Sequence, residues 1–158
     1  MLKLKNIENN VLVSLSICGY QFPKDTADDW CLVKASISQG EEFFEKIDPA
    51  LDASELLELH SWFKALSENR LQRYSYLSFT EPCLSFEYLS FSNDIVRFGI
   101  KFSNELEPNF ELNQPHSISK NWNVVFGLKL CELASIATSI EQTCKNYPVR
   151  AINDNWDN

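Results

Sequence analysis

Glycine is scarce in this chain. Gly19, Gly40, Gly99 and Gly127 are its four glycines in 158 residues, and each stands alone. A loop that cradles phosphate needs clustered glycines for close backbone approach, so that kind of nucleotide site is excluded. Histidine is scarcer still, with only His60 and His116, and no C-x-x-C pair occurs. The spacing of a zinc site is therefore missing. There is no G-x-S-x-G, H-E-x-x-H or Walker sequence, so the common hydrolase and metalloprotease signatures are absent. No apolar run approaches the ~20 residues that span a bilayer. Residues Met1 to Asn6 carry two lysines but no long apolar core and no small-residue cleavage site, which does not read as a signal peptide.

Positive charge is also short. Fourteen Lys and Arg stand against twenty-two Asp and Glu, a formal net charge of -8. Such a chain repels nucleic-acid phosphate and anionic lipid, so neither nucleic acid nor membrane is expected as a partner. It attracts a basic protein and speeds the encounter, although the same acidity also serves solubility. The five cysteines are odd in number and scattered, which points to reduced thiols in a cytoplasmic setting rather than a disulfide framework. Aromatic residues, at 13%, are what the chain has in plenty, eleven of them Phe. Together with a 44% apolar fraction they suit strands around one core. A single domain over residues 1–150 is expected, with a polar tail over 151–158.

The alternation of Val11, Val13, Leu15 and Ile17 with Leu12, Ser14, Ser16 and Cys18 predicts a first strand. Trp30 to Ser38 reads as a second, and a hairpin at Gln39-Gly40 feeds a third over Glu41 to Ile47, which Pro49 ends. Asp52 followed by Glu55 is an acidic capping box. With Leu56, Leu59, Phe63 and Leu66 at helical spacing, it predicts a helix over Ala53 to Glu68. Tyr74 to Phe79 and Cys83 to Phe91 read as strands meeting at Pro82. Ser92-Asn93-Asp94 is a tight turn, and Ile95 to Phe102 buries Val96, Phe98, Ile100 and Phe102. A polar connection over Asn104 to Ser119 follows, with Phe110 and Leu112 either tying it down or forming a short edge strand. Trp122 to Leu128 gives a last strand, and Leu130 to Lys145 a helix with Leu130, Leu133, Ala137, Ile140 and Cys144 on one face. The fold class is α+β: a curved antiparallel sheet or partial sandwich of about seven strands with two helices packed on it, in the order βββ-α-ββββ-α.

No constellation of these residues reads as catalytic. His60 sits at the edge of a helix stripe and His116 in a polar loop, neither with an orienting partner. Asp28-Asp29 and Glu41-Glu42 are adjacent acids, and neighbours in extended backbone point to opposite faces. Glu81, at the irregular strand junction, reads as an acceptor for backbone N–H groups left over there. Cys18, Cys83 and Cys144 read as small core residues.

Several segments, in order, resemble the WapI-family immunity proteins of bacterial toxin systems. They are the strand ending in Gly19-Tyr20, Asp29-Trp30-Cys31-Leu32-Val33, Glu55-Leu56-x-x-Leu59-x-x-Trp62 and Phe79-x-Glu81-Pro82-x-Leu84-x-Phe86-Glu87. The Val96 to Phe102 strand and the helix closing on Tyr147-Pro148-Val149-Arg150 complete the set. Cys31 replaces the more usual aliphatic residue and Tyr147 the expected phenylalanine. The resemblance implies a non-enzymatic cytoplasmic protein, without cofactor or metal, that binds and neutralises a cognate, basic protein toxin. On that reading the loop acids Asp25, Asp28 and Asp29, or Glu105, Glu107 and Glu111, supply the binding surface, because binding residues concentrate on loops. The alternative is a small-ligand or regulatory binding domain. Its mark would be a large buried cavity lined by aromatics with convergent polar groups.

Overall fold

A computed structural model describes residues 1–6, 8–72, 75–113 and 122–150. The described strands form two four-stranded antiparallel sheets, each a simple meander. The first contains β1 (Leu2–Asn6), β2 (Val11–Tyr20), β3 (Trp30–Gln39) and β4 (Glu42–Asp52). After helix α1 (Ala53–Ser67) come β5 (Tyr76–Ser78), β6 (Leu84–Ser92), β7 (Ile95–Phe102) and β8 (Trp122–Lys129), and then helix α2 (Leu130–Asn146). The α+β class and both helices stand as the sequence predicts. The strand count differs by one, because β1 precedes the expected first strand. Its alternation is visible in retrospect: Leu2, Leu4 and Asn6 are buried and Lys3 and Lys5 exposed.

Turn chemistry sets the meanders. Asn93 and Asp94 both take positive φ, 51° and 61°, the conformation a two-residue β7-side hairpin demands. Gly40, at φ 61°, does the same service between β3 and β4. Pro49 departs from the expectation: β4 runs through it to Asp52. The pairing shifts between Val33↔Asp48 and Cys31↔Leu51, so Pro49 and Ala50 sit at a bulge on an edge strand. There the missing N–H breaks no ladder bond. The fourth expected strand shortens to Tyr76–Ser78, and the expected Tyr74 start lies outside the described residues.

The two sheets meet at their β1 and β8 edges. Asn6, only 7% exposed, donates through Nδ2 to the Val125 carbonyl and accepts from the Asn9 N–H at 2.8 Å. A buried amide with partners on both sides costs little, so it can bridge the seam. α1 lays Leu56, Leu59, Trp62, Phe63 and Leu66 inward. Trp62 and Phe63 pack edge-on or tilted against Phe86 and Phe98 at 5.6–6.1 Å between ring centres, separations at which aromatic quadrupoles attract. α2 adds Leu133, Ala137 and Ile140. One continuous core results.

The junction at Pro82 is satisfied differently from the sequence expectation. Glu55, 7% exposed, accepts from the Asp52 N–H at 2.9 Å with one oxygen and from the Thr80 N–H at 2.6 Å with the other. The capping-box glutamate of α1 therefore takes the backbone donor assigned above to Glu81, whose side chain is exposed.

Candidate functional site

The first acidic loop hangs between β2 and β3. Asp25 is exposed and its Oδ1 accepts from the Ala27 N–H at 2.9 Å, while half-buried Asp28 accepts from the Trp30 N–H at 3.0 Å. Both are local turns of the kind Asp favours, and they leave each carboxylate at the surface. Asp29 is different. It is 4% exposed, and its carboxylate accepts from the Arg150 backbone N–H at 2.8 Å and from Arg150 Nε at 3.1 Å. It is a buried charge neutralised by its own chain, as burial of a carboxylate requires. Asp29 thus lies beneath the loop surface at which Asp25 and Asp28 stand. The sequence signal was adjacency alone. The arginine that claims Asp29 lies 121 residues away.

The second acidic segment follows β7. Glu105 sits in a single 3-10 turn over Asn104–Leu106, and Glu105, Glu107 and Glu111 are all exposed. Phe110 and Leu112 pack on the core and hold the segment down. Gln39 clamps its end, accepting from the Asn113 N–H and donating to the Asn113 carbonyl, both at 2.8 Å. Residues 114–121, including His116, lie outside the described residues.

The two acidic segments do not converge. Lys46 lies 3.9 Å from Glu105, in the middle of β4, whereas the first loop is tied to the Asp52 end of that strand through Ala53 N–H to Asp29 C=O at 3.1 Å. Six residues of strand separate the two anchors, roughly 20 Å at about 3.3 Å per residue. What the fold does bring together is Glu105 with Asp48 of β4 and Glu81 of the junction. All three negative charges act on Cys83, whose thiol is pushed up first by burial, drawn back by a backbone hydrogen bond at Glu105, and raised again by the three acids. Asp48 itself is raised by burial and by Glu105, with Lys46 opposing. This grouping depends on strand register and cross-sheet contact, and no spacing in the chain announces it.

Among the described residues no group of three His, Cys, Asp or Glu could hold a metal ion. His60 is half-buried on α1. All five cysteines are free thiols. Burial pushes Cys31 up to about 12, far from a reactive thiolate at neutral pH. Cys18 is exposed rather than in the core, because the β2 alternation puts it on the outer face.

A groove of about 440 Å³ opens between α1 and β5, lined by Leu57, Trp62, Ala65, Leu71 and Leu77, with Glu58 and Ser61. It is open to solvent and mainly apolar, not a closed aromatic cavity with converging polar groups. No helix of the described residues is long and apolar enough to cross a membrane.

No curated protein and no solved structure matches the chain. A family model does, over residues 3–148. That span takes in both sheets, both helices and the two acidic segments, and by it the chain belongs to the immunity protein WapI-like family.

Proposed function

We propose that this chain binds a cognate bacterial toxin and neutralises it as a protein partner, without chemistry of its own. The observation that carries the reading is the family match over residues 3–148. The net charge of -8, the exposed Asp25, Glu105, Glu107 and Glu111 and the half-buried Asp28 support a finer version. In it the partner is basic, and the chain covers the partner's substrate groove with carboxylates. Like-charge repulsion then excludes phosphate from the groove, and opposite charge speeds association. Because the acidic segments lie apart on the fold, one of them makes the contact and the other contributes only to the long-range field.

The test uses the C-terminal domain of the protein encoded immediately upstream as the toxin. Binding and rescue of poisoned cells by the wild-type chain are expected. Two charge-reversed variants, Asp25→Lys with Asp28→Lys and Glu105→Lys with Glu107→Lys and Glu111→Lys, then separate the segments. The variant at the contact lowers the association rate about tenfold or more at low salt, with the difference shrinking as salt rises. Equal rates for both variants and the wild type would sink the acidic-surface mechanism while leaving neutralisation itself to the rescue result.

A further inference from the structure

We propose that Arg150 fixes the shape of the Gln21–Asp29 loop from the far end of the chain, so that the loop meets a partner already formed. The functional half of this inference rests on the toxin-neutralising reading above. Three loop carbonyls turn inward onto one guanidinium: Pro23 at 3.1 Å from Nη1, Phe22 at 3.4 Å from Nη2, and Asp28, also on Nη2. Nε and the backbone N–H hold the Asp29 carboxylate. The Tyr20 ring stacks 3.5 Å from the guanidinium carbon. Only arginine offers a planar fork of donors that can reach a carboxylate and several carbonyls at once while lying on an aromatic face. The side chain is 16% exposed, and its bonds to Asp29 and to the Asp28 carbonyl are part-buried.

The arginine is itself held in place. The Tyr20 hydroxyl donates to the Pro148 carbonyl and the Tyr147 hydroxyl to the Ile17 carbonyl at 3.4 Å, which straps the end of α2 to β2. With carbonyls 22, 23 and 28 drawn in, the loop turns outward an aromatic ring, Phe22 at 48% exposure, beside the exposed Asp25. An aromatic anchor on a rigid support loses less entropy on docking than one on a floppy loop. Arg150 is thus a positioning residue: it does not meet the partner, yet the partner's encounter depends on it.

The experiment is amide hydrogen exchange on the free protein, paired with association kinetics against the upstream-encoded C-terminal domain. Arg150→Lys keeps the charge and loses the fork. Exchange at Asp25, Ala27 and Trp30 is expected to speed about tenfold or more, with β6 and β7 unchanged, and association is expected to slow at an unchanged melting temperature. Unchanged exchange in the loop would overturn the proposal. If Arg150→Lys lowers the melting temperature of the whole chain, Tyr20→Leu decides instead: faster exchange at the same amides upholds the proposal and unchanged exchange overturns it. A loosened loop with wild-type association would overturn the functional half. Failure of the wild-type chain to bind the toxin would overturn the neutralising reading and leave the exchange result standing.

Discussion

Glu55→Ala should cost this protein more stability than any exposed acidic substitution. The carboxylate joins two backbone donors from separate parts of the chain, the Asp52 N–H at 2.9 Å and the Thr80 N–H at 2.6 Å. Loss of the reciprocal half of a capping box costs about 1 kcal/mol. Loss of a partly buried hydrogen bond to a charged acceptor costs about 1.5–3 kcal/mol. The sum is roughly 2–4 kcal/mol, and at about 2–4 °C per kcal/mol for a chain of this size the melting temperature should fall roughly 5–15 °C. Glu55→Gln should fall between, because the amide keeps one acceptor oxygen and turns an NH2 group toward the other donor. Thermal melts followed by circular dichroism measure both variants, and amide exchange at Thr80 localises the effect. A Glu55→Ala melt within about 1 °C of wild type would refute the argument, since water would then serve both donors as well as the carboxylate does. Loss of stability without faster exchange at Thr80 would refute the bridging role and leave only the cap.

Further outcomes follow from other parts of the fold. Phe98→Ala removes a fully buried ring that packs on Trp62, Phe63 and Phe126, and chemical denaturation should show a loss of about 3–5 kcal/mol. Asp48 carries a raised pKa through burial and the Glu105 charge. Its ionisation therefore lowers folded-state stability as pH rises through the folded value, so Asp48→Asn should melt higher than wild type at pH 7. The gain should vanish below the ordinary carboxyl value of about 3.9, and a gain that persists there would show that charge is not its cause. Native-state alkylation followed by peptide mass mapping should label exposed Cys18 and Cys131 first. Cys31 and Cys83, both buried and raised by burial, should label only in denaturant.

Much of the fold was legible because it is locally encoded. The Asp52/Glu55 cap, the stripe from Leu56 to Leu66 and the switch of period at Leu130 place both helices within a residue or two of where they stand. The Val96–Phe102 alternation and the Asn93-Asp94 turn place the β6–β7 hairpin. The departures share one cause. Pro49 reads as a stop in isolation, yet it is tolerated because β4 is an edge strand with a bulge at that point. β1 is short and lysine-rich, and it becomes a strand through pairing with β2. Neither edge position nor pairing partner is written in a local pattern.

The site shows the same division more sharply. The sequence by itself determined that the chain is acidic, carries none of the common hydrolase and metalloprotease signatures and has two acidic segments. Those are properties of composition and spacing. The tertiary structure alone decided which of these acids are surface and which are support. Asp29 meets Arg150 across 121 residues, Glu55 meets Thr80 across 25, and Glu105, Asp48 and Glu81, from three separate segments, all bear on Cys83. The physical reason is desolvation. A carboxylate is indifferent to its sequence neighbours while water surrounds it, and its role is fixed only when folding removes that water and obliges it to find a donor.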